Sequence, residues 1–316
     1  MRSCGIGVFV LCGLCSILSG CRSNRANQRK LIEIIVPSQD NPFFRAEADA
    51  AAARARELGY TARIDSHNDD AYEQDNLIDV AIASNSVAII LDNAGADASV
   101  SAVRRATRAG IACFLIDREI DASNIAKAQI LADNDQGARL VAAEFARALD
   151  SHGDYAELLG KESDTNAQVR TKGFHGILDG DKGMTLVSAQ SANWSQSEAF
   201  QKTETILEAH AAIRGIIAGN DTMALGAVAA VNSAGRRGIT IVGFDGSPDA
   251  LAAIKAGDLE ATVLQPAVAI ARLAVQEADQ FLRTGSTGQP ERQIIPCELV
   301  TRKNVNEFGV FEKKTE

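Results

Sequence analysis

The sequence predicts an α/β protein built from two doubly wound, Rossmann-like parallel sheets. Three observations lead there. Short runs of β-branched residues alternate with helical stretches, as crossover connections between parallel strands require. The alternation is long enough to be read twice over the chain's 316 residues. No Gly/Ser-rich or Pro-rich linker separates the two halves, so the units are expected to be joined by segments passing between them.

The elements follow in order. Leu31–Val36 is a short apolar run, and an Ala-rich helix over 43–58 ends at Gly59. Thr61–Ser66 reads as a strand, 70–84 as a helix and Val87–Leu91 as a strand. A helix over 97–109 ends at Gly110 and leads into the strand Ile111–Ile116. The second set starts with Ala128–Ala132 and a helix over 134–149. Asp154–Leu159, Met184–Ala189, Ile213–Ala218 and Ile239–Gly243 are strands, separated by helices over 164–179, 196–210 and 221–234. A short helix over 248–256, the strand Ala261–Leu264, a long helix over 267–284 and a last strand over 292–296 complete the pattern.

Composition narrows the function. Lys plus Arg number 32 against 41 Asp plus Glu, a net charge of −9, which excludes gripping a phosphate backbone as the main task. Apolar residues at 46% and charged residues at 23% exclude disorder and a disulfide-stapled miniprotein. His67, His152, His175 and His210 are scattered, without Ser/His/Asp spacing or HExxH, so nothing points to an enzyme. No cofactor is implied.

The N-terminus reads as an export signal. One Arg precedes a core of about a dozen apolar residues, followed by small ones. Leu18-Ser19-Gly20-Cys21 resembles the lipobox of bacterial lipoproteins, which implies cleavage before Cys21 and lipid attachment to its thiol. The alternative is an uncleaved signal anchor. Residues 22–30 are polar and basic, the composition of a flexible tether. Removing the signal takes Arg2 with it and makes the exported part −10. Of six cysteines only Cys113 and Cys297 fall in the folded part, both in strand-like apolar contexts suited to buried free thiols. A disulfide between them is the alternative in an exported chain.

Ligands of open parallel sheets bind beyond the carboxyl ends of the strands. The residues found there share one chemistry: Asn41-Pro42-Phe43-Phe44, Asp92-Asn93, Asp117-Arg118, Asn220-Asp221, Phe244-Asp245-Gly246 and Gln265-Pro266. Planar bidentate groups suit neighbouring hydroxyls, and aromatic faces suit the C–H face of a sugar ring. Asn220, Asp221, Asp245 and Ser247 also fit helix N-caps, the stronger reading for Asp221 and Ser247. Asp117-Arg118 also fits a loop ion pair, and Phe43-Phe44 the core of a helix.

In combination these motifs resemble the ribose-binding branch of the periplasmic sugar-binding proteins of ABC importers, over about residues 31–303. The signature segments are Asn41-Pro42-Phe43-Phe44, Ile116-Asp117-Arg118, Gly219-Asn220-Asp221 and Gly243-Phe244-Asp245-Gly246. The resemblance implies a ligand in the cleft between two lobes, bound by Asn41, Phe43, Phe44, Asp92, Asp117, Arg118, Arg170, Trp194, Asn220, Asp245 and Gln265. It also implies that Phe43, Phe44 and Trp194 flank the sugar ring. Three positions depart from the ribose pattern: Pro37 replaces a small hydroxyl residue, Asp92 an Asn and Trp194 a Phe. The ligand is therefore expected to be a ribose-like pentose, a related hexose or a polyol. Arg118 and Arg170 are expected to hold Asp117 and Asp245 ionised.

The resemblance further implies interleaved lobes, 31–132 with 266–296 and 133–265 with 297–316, joined by a three-segment hinge beside Cys297. The expected partners are the sugar, an ABC permease and, through Cys21, a membrane at the periplasmic face of the cell envelope; the chain is expected to be a monomer. A sugar sensor signalling to a membrane receptor or kinase is the alternative.

Overall fold

The computed structural model describes Met1 and residues 30–314. The expected signal, the lipobox with Cys21 and most of the tether lie outside the described residues. Strands β1 (Leu31–Val36), β2 (Thr61–Ser66), β3 (Ala88–Leu91), β4 (Ala112–Ile116) and β5 (Ala128–Ala132) form one sheet. They are joined there by the late strand β11 (Arg292–Ile295), in the order β11-β5-β4-β3-β1-β2, all parallel. The second sheet holds β6 (Gly153–Leu159), β7 (Met184–Ser191), β8 (Gly215–Ala218), β9 (Thr240–Val242), β10 (Ala261–Leu264) and β12 (Glu298–Thr301). Its order is β12-β10-β9-β8-β6-β7, parallel except for β12, which runs antiparallel to β10. The two doubly wound lobes expected from the alternation are present.

Helices cover both faces of each sheet, which is why β3, β4 and β8 are apolar throughout rather than alternating. Within the first sheet, Ile34, Ile90, Phe114 and Ile116 face α1 (Pro42–Glu57) and α9 (Ala267–Thr284). Ile35, Ile89, Leu91, Cys113 and Leu115 face the other way, towards α2 (Ala71–Ala83) and α3 (Val100–Arg108). Burying each large apolar side chain contributes about 1.5–3 kcal/mol.

The sheets are linked by three crossings, at the ends of β5, β10 and β11. At the third, Gln136 on α4 (Asn134–Ala148) clamps Cys297, its Oε1 accepting from the backbone N–H (3.0 Å) and its Nε2 donating to the carbonyl (3.1 Å). Cys113 and Cys297 are free and buried, and burial pushes both thiols up to about 12.

Sequence and structure differ at several elements, β12 and α3 among them. β12 was not expected; it is four residues long and buries only Val300 fully, too little apolar signal to read. α3 starts at Val100 rather than at residue 97, because residues 97–99 form a turn closed by Ser99 N–H donating to the Gly95 carbonyl (3.0 Å).

Candidate functional site

The site forms where strand ends of both lobes face each other. On the first lobe, Asn41 caps α1 by accepting from the Phe43 N–H (3.0 Å), and Pro42 occupies the first turn. That start places Phe43 and Phe44 edge to face, with ring centres 5.6 Å apart. Phe43 also meets Phe311 of the C-terminal segment at 5.5 Å. Both are core residues and line the cavity at once.

After β4 the backbone of Asp117 turns into the left-handed region, φ 57°, and presents Arg118. The Arg118 guanidinium is 4% exposed and ringed by carboxylates. Nη1 donates to Asp69 Oδ1 (2.8 Å) and to the Asn93 carbonyl (3.0 Å). Nε lies 2.9 Å from Asp164, 3.5 Å from Asp92 and 3.8 Å from Asp117. None of the three Nε contacts has the angle of a hydrogen bond, so they act as ion pairs. Asp164 comes from the other lobe, where it caps α5 (Thr165–Leu178) by accepting from the Asn166 N–H (2.9 Å).

Arg170 on α5 is the second cation. Its Nε donates to Asn134 Oδ1 (2.7 Å), and Nη1 donates to the Gly219 carbonyl (2.8 Å) and to Asp245 Oδ1 (3.3 Å). The guanidinium carbon lies 4.0 Å from the Phe244 ring centre and 5.5 Å from that of Trp194, in cation–π range. Gln265 donates to the same Asp245 oxygen (2.8 Å). Asn166 closes the circuit between the lobes: its Nδ2 donates to the Asp117 carbonyl and carboxylate (both 3.2 Å), and its Oδ1 accepts from Asn134 (3.1 Å).

Ten of the eleven sequence-predicted residues line this one cavity. Asn41, Phe43, Phe44, Asp117 and Arg118 come from the first lobe. Arg170, Trp194, Asn220, Asp245 and Gln265 lie on the opposite wall. The cavity between these side chains is small, about 20 Å³. A ligand of several hydroxyls therefore enters only if the lining gives way. Outside it a wider cleft of about 730 Å³ touches Asn41, Phe44 and Trp194 from the solvent side but has neither arginine on its wall.

The eleventh residue, Asp92, is a correction. It is fully buried and lies off the cavity wall, beside Arg118, with its backbone carbonyl accepting from His67 Nε2 (2.7 Å). Burial keeps His67 neutral, and the Asp69 N–H donates to its Nδ1 (3.1 Å), which settles the tautomer. Asp92 follows β3 as expected, but its carboxyl ends beside Arg118 rather than at the cavity wall.

Asp164 and Asn166 line the cavity and were missed. The strand-end rule, applied after β6 as it was elsewhere, finds both. Asn220 is at once the cap of α7 (Asp221–Ser233), accepting from the Met223 N–H (2.8 Å), and part of the wall. Asp221 serves the fold instead, accepting from the Ser247 N–H (2.7 Å) and the Thr262 hydroxyl (2.6 Å). Ser247 caps α8 (Pro248–Ala256).

The charge states also differ from expectation. Burial raises Asp117 to about 6 despite the pull of Arg118, and drives Asp245 well above the usual carboxylate range despite Arg170. The arginines offset desolvation without overcoming it. Arg118, among so many acids, is raised further from neutrality.

Trp194 sits in the left-handed region, φ 64°, directly after Asn193 at 50°. Its six-membered ring lies on Gly160, where any side chain would overlap it. The indole N–H is buried and has no partner among the described residues.

Two α/β lobes with converging polar and aromatic side chains in the cleft define a two-lobed binding protein. Residues 32–287 match the periplasmic binding protein domain, and the chain belongs to that family, whose members bind solutes and are not enzymes. A D-apiose import binding protein of Paraburkholderia graminis is 54% identical over 286 residues, covering 90% of this chain and 92% of the relative. Another from Actinobacillus succinogenes is 51% identical over 89% of this chain and 91% of its own length. Among solved structures, a periplasmic solute-binding protein of an Actinobacillus succinogenes ABC transporter, with bound D-allose, superposes with a TM-score of 0.83 at 26% identity. That match covers 89% of this chain and all of the other.

Proposed function

We propose that this chain is the lipid-anchored solute-binding protein of an ABC importer and that its ligand is a pentose, D-apiose first among them. The observation that carries the reading is the cavity itself. Two arginines, three wall carboxylates drawn from both lobes, four amides and three aromatic rings converge on one space. The two D-apiose import binding proteins to which the chain is similar supply the pentose; ribose, a hexose or a polyol are the competitors.

The chemistry is that of recovering hydration. A buried sugar hydroxyl that finds no partner costs free energy, so each must be bonded again. The Asp117 and Asp245 carboxyls bond to hydroxyls through their oxygens, and the charged Arg118 and Arg170 donate to them. Hydrogen bonds to charged groups contribute about 1.5–3 kcal/mol each. Phe43, Phe44 and Trp194 cover the C–H faces. Because the groups sit on both lobes, the sugar favours the closed arrangement over an open one. Closure turns on the three crossings, with lobes at 31–132 plus 266–296 and 133–265 plus 297–316, and the closed form is what the permease takes up. Cleavage before Cys21 and its lipidation would hold the protein to a membrane at the periplasmic face.

The test is a thermal-shift and calorimetric panel of D-apiose, D-ribose, D-allose and myo-inositol on the protein from residue 22 onward. A ligand that binds only the folded state raises Tm. D-apiose is expected to give the largest shift. No shift with any sugar or polyol sinks the reading, and a larger shift with another sugar replaces D-apiose. Cys21→Ser in the full chain is expected to release the protein from membranes; retention would favour a signal anchor.

A further inference from the structure

We propose that Asn166 is a positioning residue of the site, which ties Asp117 of one lobe to Arg170 of the other across the cleft and so makes the grip on the ligand depend on closure. The proposal rests on the sugar-binding reading above and deepens it.

Asn166 lies in the first turn of α5, held there by the Asp164 cap, and Arg170 follows four residues later on the same face of the helix. Asn134 opens α4 just beyond the end of β5, at the first crossing between the lobes. Asp117 follows β4 in the other sheet. All four side chains are buried. They form one unbroken line of hydrogen bonds: Arg170 Nε to Asn134 Oδ1 (2.7 Å), Asn134 Nδ2 to Asn166 Oδ1 (3.1 Å) and Asn166 Nδ2 to Asp117 Oδ1 (3.2 Å).

The direction of that line is fixed from its end. A guanidinium only donates, so Asn134 must present its oxygen to Arg170 and its amino group to Asn166. Asn166 must then present its oxygen to Asn134 and its amino group to Asp117. Turning either amide over would set donor against donor at one bond and acceptor against acceptor at the next, a loss that buried polar groups do not make good. The same Asn166 amino group reaches the Asp117 backbone carbonyl (3.2 Å). It therefore holds, by two atoms, a residue whose left-handed backbone at φ 57° needs such support. Asp117 Oδ1 is committed as an acceptor, which leaves Oδ2, 3.8 Å from Arg118 Nε, for the ligand.

The last bond of the line crosses from one lobe to the other, so opening the cleft breaks it. Closure then orients Asp117 in the same movement that brings Arg170 opposite it. Two more contacts cross beside it from the segment between β6 and α5: Asp164 to Arg118 (2.9 Å) and Lys161 to the Asp69 carbonyl (3.3 Å). Those two involve charges, and salt screens the half-buried Lys161. Asn166 is neutral, so its hold is the same at any salt concentration. Because its bond forms only once the lobes have met, it should slow release of the sugar and leave capture unchanged.

The experiment follows D-apiose binding by stopped-flow fluorescence of Trp194, which lines the cavity, in the wild type, Asn166→Leu and Asn166→Asp. Asn166→Leu keeps the bulk and removes the donor. It should release the sugar roughly tenfold faster, with capture within about twofold of the wild type and a cooperative melting transition without ligand. Asn166→Asp sets a carboxylate against Asp117, with Arg118 and Asp164 on one side of the pair and Arg170 and Asp245 on the other. Its release should be faster still at pH 8 and return towards the wild-type rate at pH 5, where one proton shared by the two carboxyls restores a donor. The wild type at both pH values is the reference. An unchanged release rate in Asn166→Leu overturns the proposal. So does a loss carried by capture alone, or a release rate in Asn166→Asp that only follows the wild type's own pH change. If Asn166→Leu fails to fold, Asn166→Asp, which keeps the shape, decides. If the wild type binds no D-apiose, the sugar reading fails by itself and small-angle scattering of the unliganded protein decides. Asn166→Asp at pH 8 should then be more open than the wild type, and equal dimensions would overturn the proposal.

Discussion

The two arginines that face the cavity are held in opposite ways. Arg118 has four carboxylates within 4 Å of its nitrogens, three from its own lobe and Asp164 from the other. Arg170 has one, Asp245, and otherwise rests on an amide oxygen, a backbone carbonyl and the faces of Phe244 and Trp194. The difference teaches what each is for. Arg118 neutralises an acidic cluster and thereby makes its carboxylates usable as acceptors. Arg170 is less committed to charge and has aromatic walls that keep it dry, the better setting for donating to a neutral hydroxyl.

Removing each cation should show the contrast most strongly. Arg118→Met leaves Asp69, Asp92, Asp117 and Asp164 facing one another and should destabilise the fold by about 3–5 kcal/mol in urea denaturation. Arg170→Met leaves a carbonyl and an amide oxygen short of a donor, while Asp245 keeps Gln265. It should cost about 1–3 kcal/mol. Equal costs would break the comparison.

Function should invert that order. Asp245→Ala removes the acceptor shared by Arg170 and Gln265 and should abolish the sugar-induced rise in Tm while the unliganded protein still melts cooperatively. An unchanged affinity would place the sugar elsewhere.

How legible was this in the sequence? The buried strands were, because parallel strands covered on both sides read as unbroken apolar runs, and α8 and α9 fall at their expected bounds. β12 was not, since a four-residue edge strand carries too little pattern. Strand ends revealed most of the cavity wall, because topology alone carries them there. Asp92 shows the limit: topology brings a residue to the rim, but competition among neighbouring side chains decides whether it faces in. Glu47 shows another: it is fully buried on α1, and nothing in the Ala-rich pattern sets it apart from Asp49 and Glu57.

The acidic side of the comparison has a signature in pH. Asp117 is raised to about 6, and Asp221 and Glu33 to about 7, all from ordinary values near 4. Each such group binds more protons folded than unfolded, so the stability it contributes is complete at low pH and is lost as pH rises through the folded value. His175, raised by Asp179 and Glu157, acts in the same direction. Asp69, lowered by Arg118 and Lys161, titrates below this range, and it is His67, lowered by burial, that acts in the opposite direction. The raised groups outnumber it, so Tm should fall between pH 5 and pH 8. A rise over that interval would mean that the arginines hold these carboxyls ionised after all.

The smallest effect belongs to the aromatic side. Trp194→Phe keeps a ring beside Arg170 but removes the indole N–H, which is buried and has no partner among the described residues. If that N–H donates to a sugar hydroxyl, the loss combines one hydrogen bond and part of a stacking face, about 1–2 kcal/mol or roughly a tenfold weaker Kd. If the ring only stacks, the loss should stay within about threefold. The unliganded fold should be nearly unchanged, because the seat on Gly160 accepts a smaller ring without a clash. Calorimetry of the variant with the sugar that shifts Tm most therefore separates two roles for the chain's one tryptophan, a covering face and a hydrogen-bond donor.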